Sequence, residues 1–120
     1  MLNFTGKLSM NEIETNEQGG KQSKILGRMT EVPPLALIEV SKVMGEGSVR
    51  YPRGPDGTPN WHKIDCYSNI DHSLEHIANF LAERNKPDQD LDFMREELGH
   101  FAARAMMALE RFVDDLPKYL

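Results

Sequence analysis

Apolar positions in the second half of the chain recur with the period of an α-helix. Ile70, Leu74, Ile77 and Leu81 fall at i, i+4, i+7 and i+11, which predicts one apolar stripe turned toward a core. That helix is expected to run from Ser68 or Asp71 to Arg84, with Asn85, Pro87 and Asp88 ending it. Met94, Leu98, Phe101, Ala105, Leu109 and Phe112 make a second core stripe on a helix from Leu91 to Asp114, stopped by Pro117. Upstream, Pro33-Pro34 opens LALIEVSKVM, residues 35–44. This reads as a helix of about three turns buried on several sides, with Gly45 and Gly47 as its stop. Residues 48–66, SVRYPRGPDGTPNWHKIDC, carry three prolines and two glycines and predict a long irregular loop, a common place for function. Residues 1–30 are polar and hold the Gly19-Gly20 pair. They read as an extended arm with a short strand near Leu2 to Lys7. The expected fold is mainly α: a single domain over 1–120, with three principal helices in a helical body from 31 to 120 and a loop-rich N-terminal half.

Composition narrows the function classes. The chain has 120 residues and a net charge of −5, with a pI near 5.3. It lacks the basic stripe of a general nucleic-acid binder, so no duplex partner is expected. No apolar run is long enough to span a bilayer, and MLNFTGKLSMNEIE lacks the apolar centre of a signal peptide. Cys66 is the one cysteine, so no intrachain disulfide forms and a reducing cytoplasm is the expected location.

The candidate chemistry centres on DHSLEHIANF, residues 71–80. On a helical wheel His72, His76, Asn79 and Glu83 gather opposite the apolar stripe. They form either a solvated face or a wet interface that closes on a ligand or a second subunit. In the last helix Glu97, His100, Arg104 and Arg111 follow one another beside the core stripe. They read either as a surface ion-pair ladder or, through Glu97 and His100 at i+3, as half of a metal site of the kind built in helical bundles. His72 and His76 at i, i+4 can supply the other half, although HSLEH is not the HExxH of zinc proteases. His62, Cys66, His72 and His76 are four candidate ligands for a structural zinc whose spacing fits no common finger. In GGKQSK, residues 19–24, glycines allow close backbone approach and Lys21, Gln22 and Ser23 offer donors to an anion. Without the Walker spacing the same string also reads as a flexible polar linker. Arg50 with Tyr51, and Asn60 with Trp61, suit phosphate and a flat ring. Trp61 suits a core position equally well.

Six short strings occur in fixed order: GGKQS (19–23), PPLALIEV (33–40), the G-x-G-x-x-R-Y of 45–51, NWHKI (60–64), IDHSLEHI (70–77) and HFAARAMMAL (100–109). Together they resemble the phage and prophage family of dATP/dGTP diphosphohydrolase N-terminal domains. Members carry GGKQS, a Pro-led helix, Gly-Ala-x-Lys-Tyr, Asn-Trp, a His-x3-His helix and a last helix ending His-x3-Arg. The resemblance covers about residues 17–112. It implies a polar site set of Lys21, Gln22, Ser23, Arg50, Tyr51, Asn60, Trp61, His72, His76, His100 and Arg104. Arg50 stands where the family has lysine, and Gly47-Ser48 stands where it has Gly-Ala. Residues 95–100, REELGH, lack the family's first histidine of the last helix and offer Glu96 and Glu97 instead. EELGH is also similar to the EELGD string of MazG-like nucleotide pyrophosphohydrolases, a fold analogy without that family's first-helix ExxEE motif.

The resemblance implies a purine deoxynucleoside triphosphate substrate and hydrolysis to monophosphate and pyrophosphate. A divalent metal would sit among His72, His76, Glu97 and His100. Histidine ligands favour Mn, Co or Zn over Mg. Glu96 or Glu75 would be the general base, Lys21, Arg50 and Arg104 would neutralise phosphate, and Trp61 or Tyr51 would stack on the base. Two other classes stay open: a protein that holds a nucleotide-type ligand without cutting it, and a phage protein that blocks a host protein by surface contact. A homo-oligomer is expected in all three.

Overall fold

The computed structural model describes residues 13–23 and 27–120. The strand expected near Leu2 to Lys7 lies outside these residues. Two short strands, β1 (Ile13–Thr15) and β2 (Lys21–Ser23), pair antiparallel with Glu14 opposite Gln22. Three helices follow: α1 (Pro34–Arg50), α2 (Cys66–Arg84) and α3 (Leu91–Asp115). Among the described residues no helix is long and apolar enough to cross a membrane. The chain divides into two compact units. One is Pro34–Phe112, and the other groups the described residues before Pro34 with those after Phe112.

The hairpin turn is built by Asn16 and Gly19. The Asn16 side-chain oxygen accepts from the backbone N–H of Gln18 at 3.0 Å and of Gly20 at 2.8 Å. Gly19 has φ of +83°, a conformation that favours glycine. The Gly-Gly pair is therefore a hairpin turn rather than a linker, and Lys21, Gln22 and Ser23 belong to the paired strand.

Helix α1 runs six residues past its expected end at Met44. Gly45 and Gly47 each cost a helix only about 1 kcal/mol relative to alanine, and neither is a breaker on its own. The actual stop is Pro52: the residue before a proline is pushed out of the helical region, and the last helical bond is Tyr51 N–H to Gly47 O at 2.8 Å. Helix α2 begins at Cys66, earlier than expected, because Asp65 caps it by accepting from Ser68 N–H at 2.7 Å.

The core of the helical unit lies between α1 and α3. Val40, Ala103 and Met107 are buried together, with Val43, Met44, Trp61 and Ala102 packed against them. Gly99 and Ala103 allow the close approach. A methyl group added at Gly99 would meet Val43 Cγ2 at 3.4 Å.

This packing corrects the expected core stripes. Ile70, Leu74 and Leu81 are 37%, 56% and 43% exposed. On α3 Met94 is buried, but Leu98, Ala105, Leu109 and Phe112 are exposed. Helix α2 is turned by about one residue from the orientation that apolar periodicity predicts, and α3 buries Gly99, Ala103 and Met107 beside the predicted Met94. The buried side of α2 holds Asn69, Ser73 and Glu83, while His76 is half-buried. The face that the wheel offered as solvated is thus, at His76 and Glu83, turned inward.

Glu83 shows why a charged side chain can sit there. One carboxylate oxygen accepts from Lys86 Nζ at 2.9 Å and the other from Asp90 N–H at 2.9 Å. These bonds fasten the 85–90 connection between α2 and α3. The Asp90 N–H, then Lys86, hold the Glu83 carboxyl below its ordinary value of 4.5. A depressed carboxyl contributes stability above its unfolded pKa, and that stability is lost as pH falls through the folded value. Glu83→Gln is therefore expected to lower Tm by a constant margin above about pH 5.5. The gap to the parent should narrow as pH falls below 4.5, as read by circular-dichroism melts across pH.

Candidate functional site

Helices α2 and α3 meet through a polar seam. His76 Nδ1 lies 2.6 Å from Glu97 Oε2. Seven residues further along α3, Arg104 Nη1 donates to Asn69 Oδ1 at 3.1 Å. Seven further still, the charge of Arg111 helps to hold Asp65 below the ordinary carboxylate range, after the larger effect of the Ser68 N–H. As numbers rise on α3 they fall on α2, so the helices are antiparallel and the rungs recur at every second turn. Of the expected ladder of Glu97, His100 and Arg104, Glu97 and Arg104 bond across to α2 and His100 stacks on His76.

Asn69 is the pivot of the seam. It is completely buried, and its side-chain amide donates to Asp65 O at 3.1 Å and lies 3.5 Å from Ile64 O. With its oxygen on Arg104, it joins the end of the 51–65 loop to α3. A buried amide is tolerable only with its hydrogen bonds made.

On one side of the seam opens a cleft of about 1100 Å³. Arg50 and Tyr51 reach it from the end of α1, Asn60 and Trp61 from the short helical turn after the proline loop, His72 from α2, and Glu96, His100 and Arg104 from α3. These eight residues span 55 sequence positions (50 to 104), and the fold brings them to one cavity. Trp61 unites the two roles left open by sequence, since it lines the cleft and packs on the core. The loop wall is fixed by its own bonds. Asp56 accepts from Thr58 N–H at 2.9 Å, Arg53 Nη1 donates to Gly57 O at 2.7 Å, and Gly57 has φ of +80°.

The other expected residues stand apart from the cleft lining. His76 and Glu97 lie behind it, bonded to each other, with the His76 ring stacked on His100 at 4.9 Å between centroids. Glu75 is exposed on α2 and does not line the cleft. Lys21, Gln22 and Ser23 lie on β2, in the other compact unit, where Gln22 Nε2 donates to Glu14 at 2.8 Å. Among the described residues no group of three or more His, Cys, Asp or Glu side chains is placed to hold a metal ion. Neither His72, His76, Glu97 and His100 nor His62, Cys66, His72 and His76 therefore stands as a preformed cage.

Sequence reasoning missed Glu39, Lys42, Glu46, Arg53, Asp92 and Arg95, all of which line the cleft. Arg95 Nε donates to Glu39 Oε1 at 3.0 Å, with a second contact from Nη2 to the same oxygen. Arg95 lowers the Glu39 pKa, and Glu39 in turn raises that of Arg95. The available signal was Glu39 itself, a charge in the middle of the apolar run LALIEV.

Residues 16–115 match the family model described as dATP/dGTP diphosphohydrolase, N-terminal. The chain belongs to this family. The match spans all three helices and the whole of the cleft lining, together with β2. No curated protein and no solved structure shows significant similarity to the chain.

Asn69→Ala removes every bond of the pivot at once. It is expected to cost about 2 kcal/mol of unfolding free energy, the penalty for orphaning buried polar partners. Urea denaturation measures this, and a loss below about 0.5 kcal/mol would show that the seam does not depend on Asn69.

Proposed function

We propose that the cleft binds a purine deoxynucleoside triphosphate and hydrolyses it to the deoxynucleoside monophosphate and pyrophosphate. The observation that carries this reading is the convergence of Arg50, Tyr51, Asn60, Trp61, His72, Glu96, His100 and Arg104 on one cavity, in a chain whose family is described by dATP/dGTP diphosphohydrolase activity. A cavity of this size suits a nucleotide.

Roles follow from chemistry and place. Trp61 and Tyr51 offer flat faces for the base, and Asn60 can pair with a base edge. Arg50 and Arg104 meet phosphate oxygens through guanidinium groups. In the reaction a water oxygen forms a bond to the α-phosphorus while the bond from that phosphorus to the bridging oxygen breaks. The electron pair leaves with pyrophosphate. The Glu96 carboxylate takes the proton of the water and returns it to solvent. Glu96 lines the cleft and Glu75 does not, which favours Glu96 as the base. Lys21, Gln22 and Ser23 remain part of the proposed binding set through the resemblance alone.

A divalent cation, Mn, Co, Zn or Mg, belongs to the proposal; bound with the nucleotide, it would offset charge on the phosphate oxygens. The donor types suit such a cation, with the His72 and His100 imidazoles and the Glu96 carboxylate lining the cleft and His76 and Glu97 behind it, though among the described residues they are not gathered as a preformed cage. The bond from His76 Nδ1 to Glu97 recommends a refinement. A carboxylate on one ring nitrogen commonly orients a histidine that ligates through the other, so Glu97 would position His76 and leave its Nε2 as the ligand.

A second reading is that the protein holds a nucleotide without cutting it. The small number of free carboxylates in the histidine-containing cleft favours it: Glu39 is held by Arg95, which leaves Glu46, Asp92 and Glu96 among the acids lining the cleft. Mass spectrometry of the protein with dATP, dGTP, ATP and GTP, with each metal in turn, separates the two. Metal-dependent monophosphate and pyrophosphate are expected. Glu96→Gln should lower kcat by about 100-fold or more with little change in KM, and His76→Ala and His100→Ala should each abolish most of the metal response. Full activity in both histidine variants would remove the proposed metal site, and intact bound nucleotide would establish the binder.

A further inference from the structure

A cluster of three charged side chains stands at one end of the cleft. Glu39 Oε1 accepts from Arg95 Nε at 3.0 Å and from Lys42 Nζ at 3.3 Å. Glu39 meets Arg95 and, one turn further along each helix, Val43 faces Gly99. Helices α1 and α3 therefore run parallel, and one scale of height serves both walls of the cleft. Arg95 stands low on that scale, and Arg104 stands about 13 Å higher along the axis. Arg50 and Tyr51 lie at the upper end of α1, and Trp61 packs on the cluster of Val40, Ala103 and Met107. Glu96 and His100 come between the two ends, and Asp92 lines the cleft about one turn below Arg95.

We propose that Arg95 and Lys42 bind the β- and γ-phosphates, so that the nucleotide lies along α3 with its base at Tyr51 and Trp61 and its pyrophosphate end at Arg95. This orientation rests on the nucleotide reading of the cleft and adds two binding residues to it. Charge is the first argument. A triphosphate carries more negative charge than Arg50 and Arg104 can offset. Among the described residues, five Lys or Arg and four Asp or Glu side chains line the cleft, whereas the chain as a whole has 14 against 19. Convergence is the second. One Glu39 oxygen draws the guanidinium and the ammonium to a single point, so part of the cost of ordering them is met before a ligand arrives. Glu39 takes the Nε and Nη2 edge of Arg95 and leaves Nη1, with two donors of Lys42, for phosphate oxygens. Order along the cleft is the third. With the base high and the pyrophosphate low, the α-phosphorus falls beside Glu96 and His100, where the attacking water is needed. Asp92 then sets a limit on chain length, since its carboxylate repels any phosphate beyond the third.

Titration calorimetry of the full chain with inorganic pyrophosphate and, separately, with dGMP, each in Mg²⁺ buffer, tests this. Arg95→Ala and Lys42→Ala are each expected to weaken pyrophosphate at least about tenfold, the worth of a charged hydrogen bond, and to change dGMP less than about twofold. Tyr51→Ala should do the reverse. Arg84→Ala, exposed on α2 and away from the cleft lining, should change neither. Circular dichroism checks that each variant folds. Should Arg95→Ala unfold, Lys42→Ala carries the same expectation, because its bond to Glu39 lies within α1. Pyrophosphate affinity that ignores both substitutions, or its absence in the wild type, overturns the proposal. Equal weakening of dGMP by Arg95→Ala also overturns it, because the base and the pyrophosphate would then share one end. Hydrolysis of dGTP, followed in parallel, keeps the two readings apart. Turnover by a wild type whose pyrophosphate affinity ignores Arg95 and Lys42 sinks the orientation and spares the enzyme. Pyrophosphate binding that needs Arg95, in a protein that neither binds dGMP nor cuts dGTP, overturns both the nucleotide reading and its orientation.

Discussion

Asn69 and Arg104 set the conditions under which the rest of the helical unit folds. Asn69 has no exposed surface, and each of its polar atoms must find a partner inside the protein. The structure supplies them from the end of the loop on one side and from Arg104 on the other, with α3 antiparallel to α2. Hydrogen bonds are directional and apolar contacts are not. The polar rungs therefore fix the rotation of both helices, and the leucines follow.

That order of priority explains where periodicity succeeded and where it failed. The three helices, their sequence order and the proline loop were legible, because helix signals are local: a stripe, a cap, a proline. The start of α2 was legible in principle from Asp65 and Ser68, and was missed because Ser68 and Asp71 offered competing caps. The end of α1 was misread because two glycines near one another look like a stop, yet Pro52 does the stopping. The burial assignment failed for a deeper reason. Leu74 and Leu81 are strong core signals only when one helix face is buried, and nothing in a single sequence tells which interface an amphipathic stripe serves.

The cleft was legible in a different way. Arg50, Tyr51, Asn60, Trp61, His72, His100 and Arg104 were each ambiguous alone, and the ordered resemblance chose among their readings, whereas Glu96 entered only as a departure from the family's pattern. Periodicity could not have joined Arg50 to Arg104, since their proximity depends on the close packing of α1 on Gly99 and Ala103. Glu39 and Arg95 escaped notice because ion pairs between distant helices leave no local spacing to read. Asn69 escaped because a lone asparagine in a helix looks like a surface residue, and its burial is visible only with the partners in place.

The proline loop carries one more consequence. Its wall is held by its own turn bonds and hangs from Asn69 through the carbonyls of Ile64 and Asp65. Trp61 of the loop packs on the core between α1 and α3. Residues 53–58 can therefore be lengthened at modest thermodynamic expense, while Pro52 stays as the stop of α1. The scaffold and the rim of the cavity are thus separable in this chain: the rim at 53–58 sets part of the cleft's mouth without carrying the helical framework.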